Sequence, residues 1–152
     1  MSRTLLESPA RPVPRWARGW TVVVGVTTLM IGLWTFFFPE SFFDDFPVSG
    51  ASWVSTLGEY NEHLTRDYGA AQIGLAVAAI GVGLRGGRAG IGFVLGGYVV
   101  FGALHFGFHV GTFSSFSTAS AVTQGLALAT STVLPAFVLS GLFATTEKGN
   151  TT

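Results

Sequence analysis

Apolar positions fill four long stretches of the chain, and polar residues gather between them. The first stretch covers residues 19–38, "GWTVVVGVTTLMIGLWTFFF". The second covers residues 64–84 and carries no charge from Tyr68 until Arg85. The third and fourth cover residues 89–110 and 119–144. Each approaches or reaches the ~20 residues that cross a bilayer's hydrocarbon core as a helix. In hydrocarbon every backbone N–H and C=O needs an internal partner, so runs of this length predict helices. The alternating strands of about ten residues that build membrane barrels are not visible. The pattern predicts an all-α membrane protein: one domain over residues 19–144, a four-helix transmembrane bundle. Flexible polar tails are expected over residues 1–18 and 145–152.

The basic residues set an orientation. Arg3, Arg11, Arg15 and Arg18 precede the first span, Arg85 and Arg88 separate the second from the third, and Lys148 follows the fourth; only Arg66 falls on the other side. Under the positive-inside rule both termini are expected in the cytoplasm. The long loop between the first two spans, residues 39–63, and the short "GTFSSFSTAS" turn then face outward. The Phe and Trp residues of the long loop suit the headgroup region. The first apolar run is too long for a signal-peptide core and no A-x-A-like site follows it, so an uncleaved first span is expected. Composition points the same way: 11% of the 152 residues are charged, against about 25% in soluble domains. A formal net charge of zero offers nucleic acid no electrostatic support. The absence of cysteine removes disulfides, Cys-based metal sites and thiol catalysis.

The candidate chemistry lies at the mouth of the second span, in "GEYNEHLTRDYGAAQIG". Written on a helix, Glu59, Glu62, His63, Arg66 and Asp67 form one stripe. Glu62 and Arg66 make an i,i+4 pair in the favourable acid-before-base order. His63 and Asp67 make another, in which the carboxylate orients the imidazole. His105 and His109 on the third span share a face at i,i+4 spacing. His105 lies roughly 24 Å along that span at about 1.5 Å per residue, level with His63, Asp67, Gln124 and Glu40 if the helices form a compact bundle. His63, His105 and His109 are candidate ligands for haem or a quinone head group. With Glu59, Glu62 and Asp67 they are candidate metal ligands, since bundle helices build metal sites from such side chains. The Glu-x-x-His spacing of di-metal bundles is absent. The alternative is a structural polar network tying the second and third spans together.

Other features carry less. "GVGLRG" at 81–86 matches G-x-G-x-x-G, but it closes a membrane helix and lacks the strand a dinucleotide site requires; it is expected to end the span and form the turn. Glycine pairs at 92 and 96 and at 107 and 111 allow close helix approach, within the bundle or between copies. Pro135 is expected to kink the fourth span. No nucleophile–base arrangement is legible, so no catalytic residues are assigned.

The segments "FFFPESFFDDFP", "YNEHLTRD" followed by "GA", and "LHFGFH" resemble a group of small four-span bacterial membrane proteins in or near the DoxX-like superfamily. The resemblance implies a four-helix membrane bundle and extends to a redox-accessory role, without supplying catalytic residues. The absence of cysteine departs from any thiol-redox analogy. The resulting expectation is a multi-pass protein of the bacterial cytoplasmic membrane, an accessory subunit of a membrane assembly. Other membrane subunits, or further copies packed through glycine faces, would be its partners in the bilayer. A metal-, haem- or quinone-binding protein and a small-solute transporter or channel are the alternatives.

Overall fold

The computed structural model of the chain describes residues 12–147. Among these residues the fold is entirely helical: α1 (Arg15–Phe37), α2 (Pro39–Asp45), α3 (Glu62–Arg85), α4 (Arg88–Val110) and α5 (Thr118–Glu147), with single 3₁₀ turns at Ser55–Leu57 and Phe113–Ser115. The four long helices are long and apolar enough to cross a membrane, and α2 is the short helix in the long loop. Two boundaries move relative to expectation. α1 begins at Arg15, because Trp16 and Ala17 pack against α5 instead of joining a tail. α5 continues to Glu147 with Pro135 inside it. The remaining tail positions, with Arg3, Arg11 and Lys148, lie outside the described residues.

The closest pairing joins α1 to α3. α1 presents Thr21, Gly25, Thr28, Gly32 and Thr35; α3 presents Gly69, Gln72, Ala76, Ala79 and Gly83. Both stripes alternate steps of three and four, the seam of a left-handed helix pair, and all but Gln72 are small. A Cβ on Gly69 would fall 2.7 Å from the backbone nitrogen of Phe36, and one on Gly83 would fall 2.7 Å from a Val22 methyl. A Cβ on Gly25 would fall 2.8 Å from Ile80, and one on Gly32 would fall 3.0 Å from Ile73. One antiparallel register runs through all four contacts, each step forward on α1 matched by a step back on α3. The buried hydroxyls of Thr21 and Thr35 are satisfied within their own helix, each donating to the carbonyl four residues back at 2.7 Å.

α4 and α5 form the second pair, with Gly102 against Thr132. The two pairs meet chiefly at the end that carries the termini. There Ala17, Ile91, Leu95, Val138 and Leu142 make an apolar core. A smaller cluster of Val24, Ala79 and Tyr98 lies farther along. The outer faces stay apolar and unpacked: Met30, Phe93, Leu104 and Leu126 are all exposed. That arrangement suits lipid as the surrounding solvent.

Arginines staple the helix ends. Arg18 donates to Gly83 O in the last turn of α3, Arg66 to Phe36 O in the last turn of α1, and Arg88 to Leu142 O near the end of α5. The last four carbonyls of a helix have no intrahelical partner and carry the negative end of its dipole, so Arg18 and Arg66 satisfy both hydrogen bonding and charge, while Arg88 adds a second donor to a carbonyl still inside α5. "GVGLRG" ends α3 as expected. Gly86 caps it, donating its N–H to Val82 O at 2.8 Å, where a Cβ would press on that same carbonyl.

At the opposite end the long loop folds back over α1. Trp34 packs edge-on against Phe42, and Phe46 bridges Phe42 to Trp53. Trp34 Nε1 donates to Ser41 Oγ at 3.2 Å. This aromatic cluster holds α2 over the end of the helix pair.

Candidate functional site

The mouth of α3 is divided differently from the continuous stripe that the spacing suggested. Asn61 is the N-cap, its side chain accepting from the Leu64 N–H at 3.1 Å, so the helix starts at Glu62. Glu59 precedes the cap, exposed and off the helix. The remaining four residues turn to two sides. Glu62 and Arg66 pair at 2.8 Å beside α1, and Arg66 also sits 5.9 Å over the Phe36 ring. His63 and Asp67 pair at 3.3 Å, with side chains 88% and 63% exposed. Each predicted i,i+4 contact forms, yet neither reaches the histidines of α4. Among the described residues no three His, Asp or Glu side chains group where they could hold a metal ion. The six-residue convergence of His63, His105, His109, Glu59, Glu62 and Asp67 therefore does not assemble.

His105 and His109 do come together, in company that the spacing alone did not select. Tyr68 of α3 stacks on Phe101 of α4 with ring centroids 6.5 Å apart. Phe101 stacks on His105 at 5.4 Å, with planes 18° apart. His105 meets His109 edge-on at 4.7 Å. The rings form a ladder because residues 101, 105 and 109 share one face of α4. Below it Gln72 Nε2 donates to the Tyr68 hydroxyl at 2.7 Å. Touching edge to face, the two imidazoles leave no gap for a macrocycle and do not oppose each other as two axial haem ligands would.

The far end of the ladder reaches α5. His109 Nδ1 lies 3.1 Å from Gln124 Oε1. A carboxamide oxygen only accepts, so with the amide in this orientation the imidazole donates from Nδ1. Gln124 is 1% exposed and its Nε2 has no partner. With the amide turned over, its N–H donates to Nδ1 and Oε1 becomes the unpartnered atom. In either orientation a buried polar atom beside His109 is left open. An unmade buried hydrogen bond costs about 1–3 kcal/mol, so a group retained there needs a reason.

Among the described residues the shielded hydroxyl of Tyr60 also lacks a partner. Tyr98 sits mid-bundle in the cluster with Val24 and Ala79, with the Thr28 side chain as its hydrogen-bonding neighbour. Tyr60 stands at the mouth of α3, outside the spans. Shielding from water and then the carboxylates of Glu62 and Glu40 push its hydroxyl above its ordinary pKa.

Tyr68, Gln72 and Phe101 were not selected by the sequence reading. Phe101 was findable, since it continues the 101, 105, 109 face one turn back. Gln72 was findable as a lone amide inside an apolar span.

Together the four apolar spans and this imidazole–carboxamide site define a multi-pass α-helical membrane protein. The chain matches no family model, no curated protein and no solved structure.

Proposed function

We propose that the protein is a small accessory subunit of an assembly in the bacterial cytoplasmic membrane, and that it binds the polar head of a flat, lipid-soluble ligand such as a quinone. The ligand site lies between α3, α4 and α5. The observation that carries this reading is Gln124: a buried carboxamide with one unpartnered polar atom, held beside His109 at the end of an aromatic ladder. A quinone carbonyl would accept from Gln124 Nε2, and its ring would lie along Phe101 and His105. The hydrogen-bonded His109, with no third ligating side chain beside the pair among the described residues, favours a neutral head group over a metal ion.

The basic residues support cytoplasmic termini. Arg15, Arg18, Arg85 and Arg88 lie at the end of the bundle that carries the termini, and Arg66 lies at the other. The long loop and the ligand site then face outward. The DoxX-like resemblance of the "YNEHLTRD" block supports a redox setting. Gly96, Gly97 and Gly107 on α4 meet nothing within 4 Å, which leaves small-residue surface for a partner subunit.

The test is organic extraction of the protein purified from native membranes, with chromatography of the extract. Near-stoichiometric quinone is expected with the wild type, and a loss of at least about tenfold with Gln124→Leu, on the cost of one unmade buried hydrogen bond. Wild-type protein free of quinone, and unable to take it up from quinone-loaded nanodiscs, would overturn the ligand assignment. Reversible crosslinking before solubilisation tests the assembly: recovery of copies of this chain alone would count against an accessory role.

A further inference from the structure

A second site lies at the corner where α1, α2 and α3 meet. A pocket of about 380 Å³ opens there, walled by Phe37 and Phe38 and carrying Glu40, Tyr60, Glu62 and Arg66. Its size suits a small head group, since ligand pockets start near ~300 Å³. It shares no lining residue with the His109 site.

The lining decides the sign of the charge it would take. Arg66 is already committed: Nε and Nη2 both contact Glu62 Oε1, and Nη1 donates to Phe36 O. Both contacts to Glu62 fall on one oxygen, which leaves Oε2 free of the guanidinium. Among the described residues Glu40 makes no ion pair that would neutralise it, and Arg66 is the sole Lys or Arg lining the pocket. The lining therefore carries two carboxylates against one guanidinium. Three carboxylates, Glu62, Glu40 and Asp44, act on the Tyr60 hydroxyl against Arg66 alone. That hydroxyl is shielded and without a partner, and its oxygen can accept a hydrogen bond. The walls are aromatic faces, 58% exposed at Phe37 and 65% at Phe38. Carboxylates among aromatic rings are the surroundings that recognise an organic ammonium, through charge-assisted hydrogen bonds and cation–π attraction. A phosphate or carboxylate would meet net repulsion and no uncommitted cation. A bare divalent ion would gain nothing from the phenyl walls.

We propose that this corner binds a primary ammonium group, with Glu40 and Glu62 Oε2 taking the charge, Tyr60 accepting a hydrogen bond and Phe37 and Phe38 flanking the carbon atoms. The pocket lies at the end of the spans, at headgroup depth. Two sources of that chemistry are within reach: the ethanolamine head of a phospholipid and a free amine in the adjacent water.

The experiment separates them with the full-length protein. In one arm, native mass spectrometry compares retained phosphatidylethanolamine with retained phosphatidylglycerol from equimolar mixed nanodiscs. In the other, ethanolamine is titrated onto protein in phosphatidylglycerol nanodiscs and tryptophan fluorescence is followed. Glu40→Gln is the test variant, because Glu40 takes no part in the Arg66 staple, and Tyr60→Phe is the second. Unchanged thermal unfolding in both variants confirms that they remain folded. A preference for phosphatidylethanolamine that drops about tenfold in Glu40→Gln, as expected for a lost hydrogen bond to a charged group, supports the site with a lipid source. Saturable ethanolamine binding that drops likewise, with no lipid preference, supports it with a free-amine source. Equal retention of both lipids together with no ethanolamine binding, or binding indifferent to Glu40→Gln, overturns it. Quinone content in the same preparations reports on the His109 site separately.

Discussion

At the end of the bundle that carries the termini, Ala17, Ile91, Leu95, Val138 and Leu142 close into an apolar core drawn from three helices. At the long-loop end, Tyr68, Phe101, His105, His109 and Gln124 stand where α3, α4 and α5 approach one another. Helices can pack by shape alone, and the first end does so. The second end uses groups that need partners, and it leaves Gln124 one partner short. Between lipid-facing helices an unfilled polar valence is expensive, and apolar residues would pack there at no such cost. The contrast separates a part of the molecule that packs by shape from a part that, on the proposed function, binds.

The sharpest way to break that contrast lies in the α1–α3 seam that joins the two ends. Gly69→Ala places a methyl 2.7 Å from the Phe36 nitrogen. Backbone cannot yield as a flexible side chain does, so a loss of about 1–3 kcal/mol is expected, read as a lower unfolding midpoint in detergent. Gly97→Ala, with nothing within 4 Å, is the matched control and is expected to change little.

Next in size is Leu95→Ala in the apolar core. Lipid already solvates leucine, so the transfer part of the usual penalty falls away and the packing part remains, on the order of 1–2 kcal/mol. Quinone retention is expected to survive this change, because Leu95 lies at the other end.

Gln124→Leu should behave in the opposite way. It removes the open valence and leaves His109 Nδ1 without its acceptor. The expected shift in the unfolding midpoint is within roughly 1 kcal/mol of zero, in either direction, while bound quinone is lost. A large destabilisation with quinone retained would place Gln124 on the structural side of the comparison.

The smallest effect is expected at His63→Ala. The pair with Asp67 is exposed, and exposed pairs contribute about 0–1 kcal/mol. Neither unfolding nor quinone content should move measurably. A loss of quinone would draw the α3 mouth into the site.

The four spans were legible because each is a long apolar run, and the i,i+4 pairs at the α3 mouth because helix geometry fixes those distances. The end of the bundle to which His105 and His109 belong also followed from counting rise along α4. Their neighbours did not. Which way His63 and Asp67 face depends on how α3 is rotated, and the Gly69, Ala76 and Gly83 seam against α1 sets that rotation. Close packing was expected at Gly92, Gly96, Gly97, Gly102, Gly107 and Gly111 of the third span. Gly102 does press on Thr132 of α5, but Gly96, Gly97 and Gly107 meet nothing within 4 Å, whereas α3 packs tightly along its length. The decisive pattern, alternating steps of three and four through Gly69, Gln72, Ala76, Ala79 and Gly83, was present in the chain but less conspicuous than G-x-x-x-G. The continuous stripe from Glu59 failed for a local reason: Asn61 is a stronger helix start than anything upstream.

The two-residue joint at Gly86 and Gly87 has a consequence for how the protein is made. α1 with α3 is a complete antiparallel hairpin, clamped at one end by Arg18 and at the other by Arg66. α4 with α5 is another, clamped by Arg88. Each can leave the ribosome and enter the bilayer as its own unit before the two meet. A gene cut between the codons for Gly86 and Gly87 would therefore encode two complete hairpins, and coexpression of the halves is expected to restore the whole through the core that Ala17 shares with Ile91, Leu95, Val138 and Leu142.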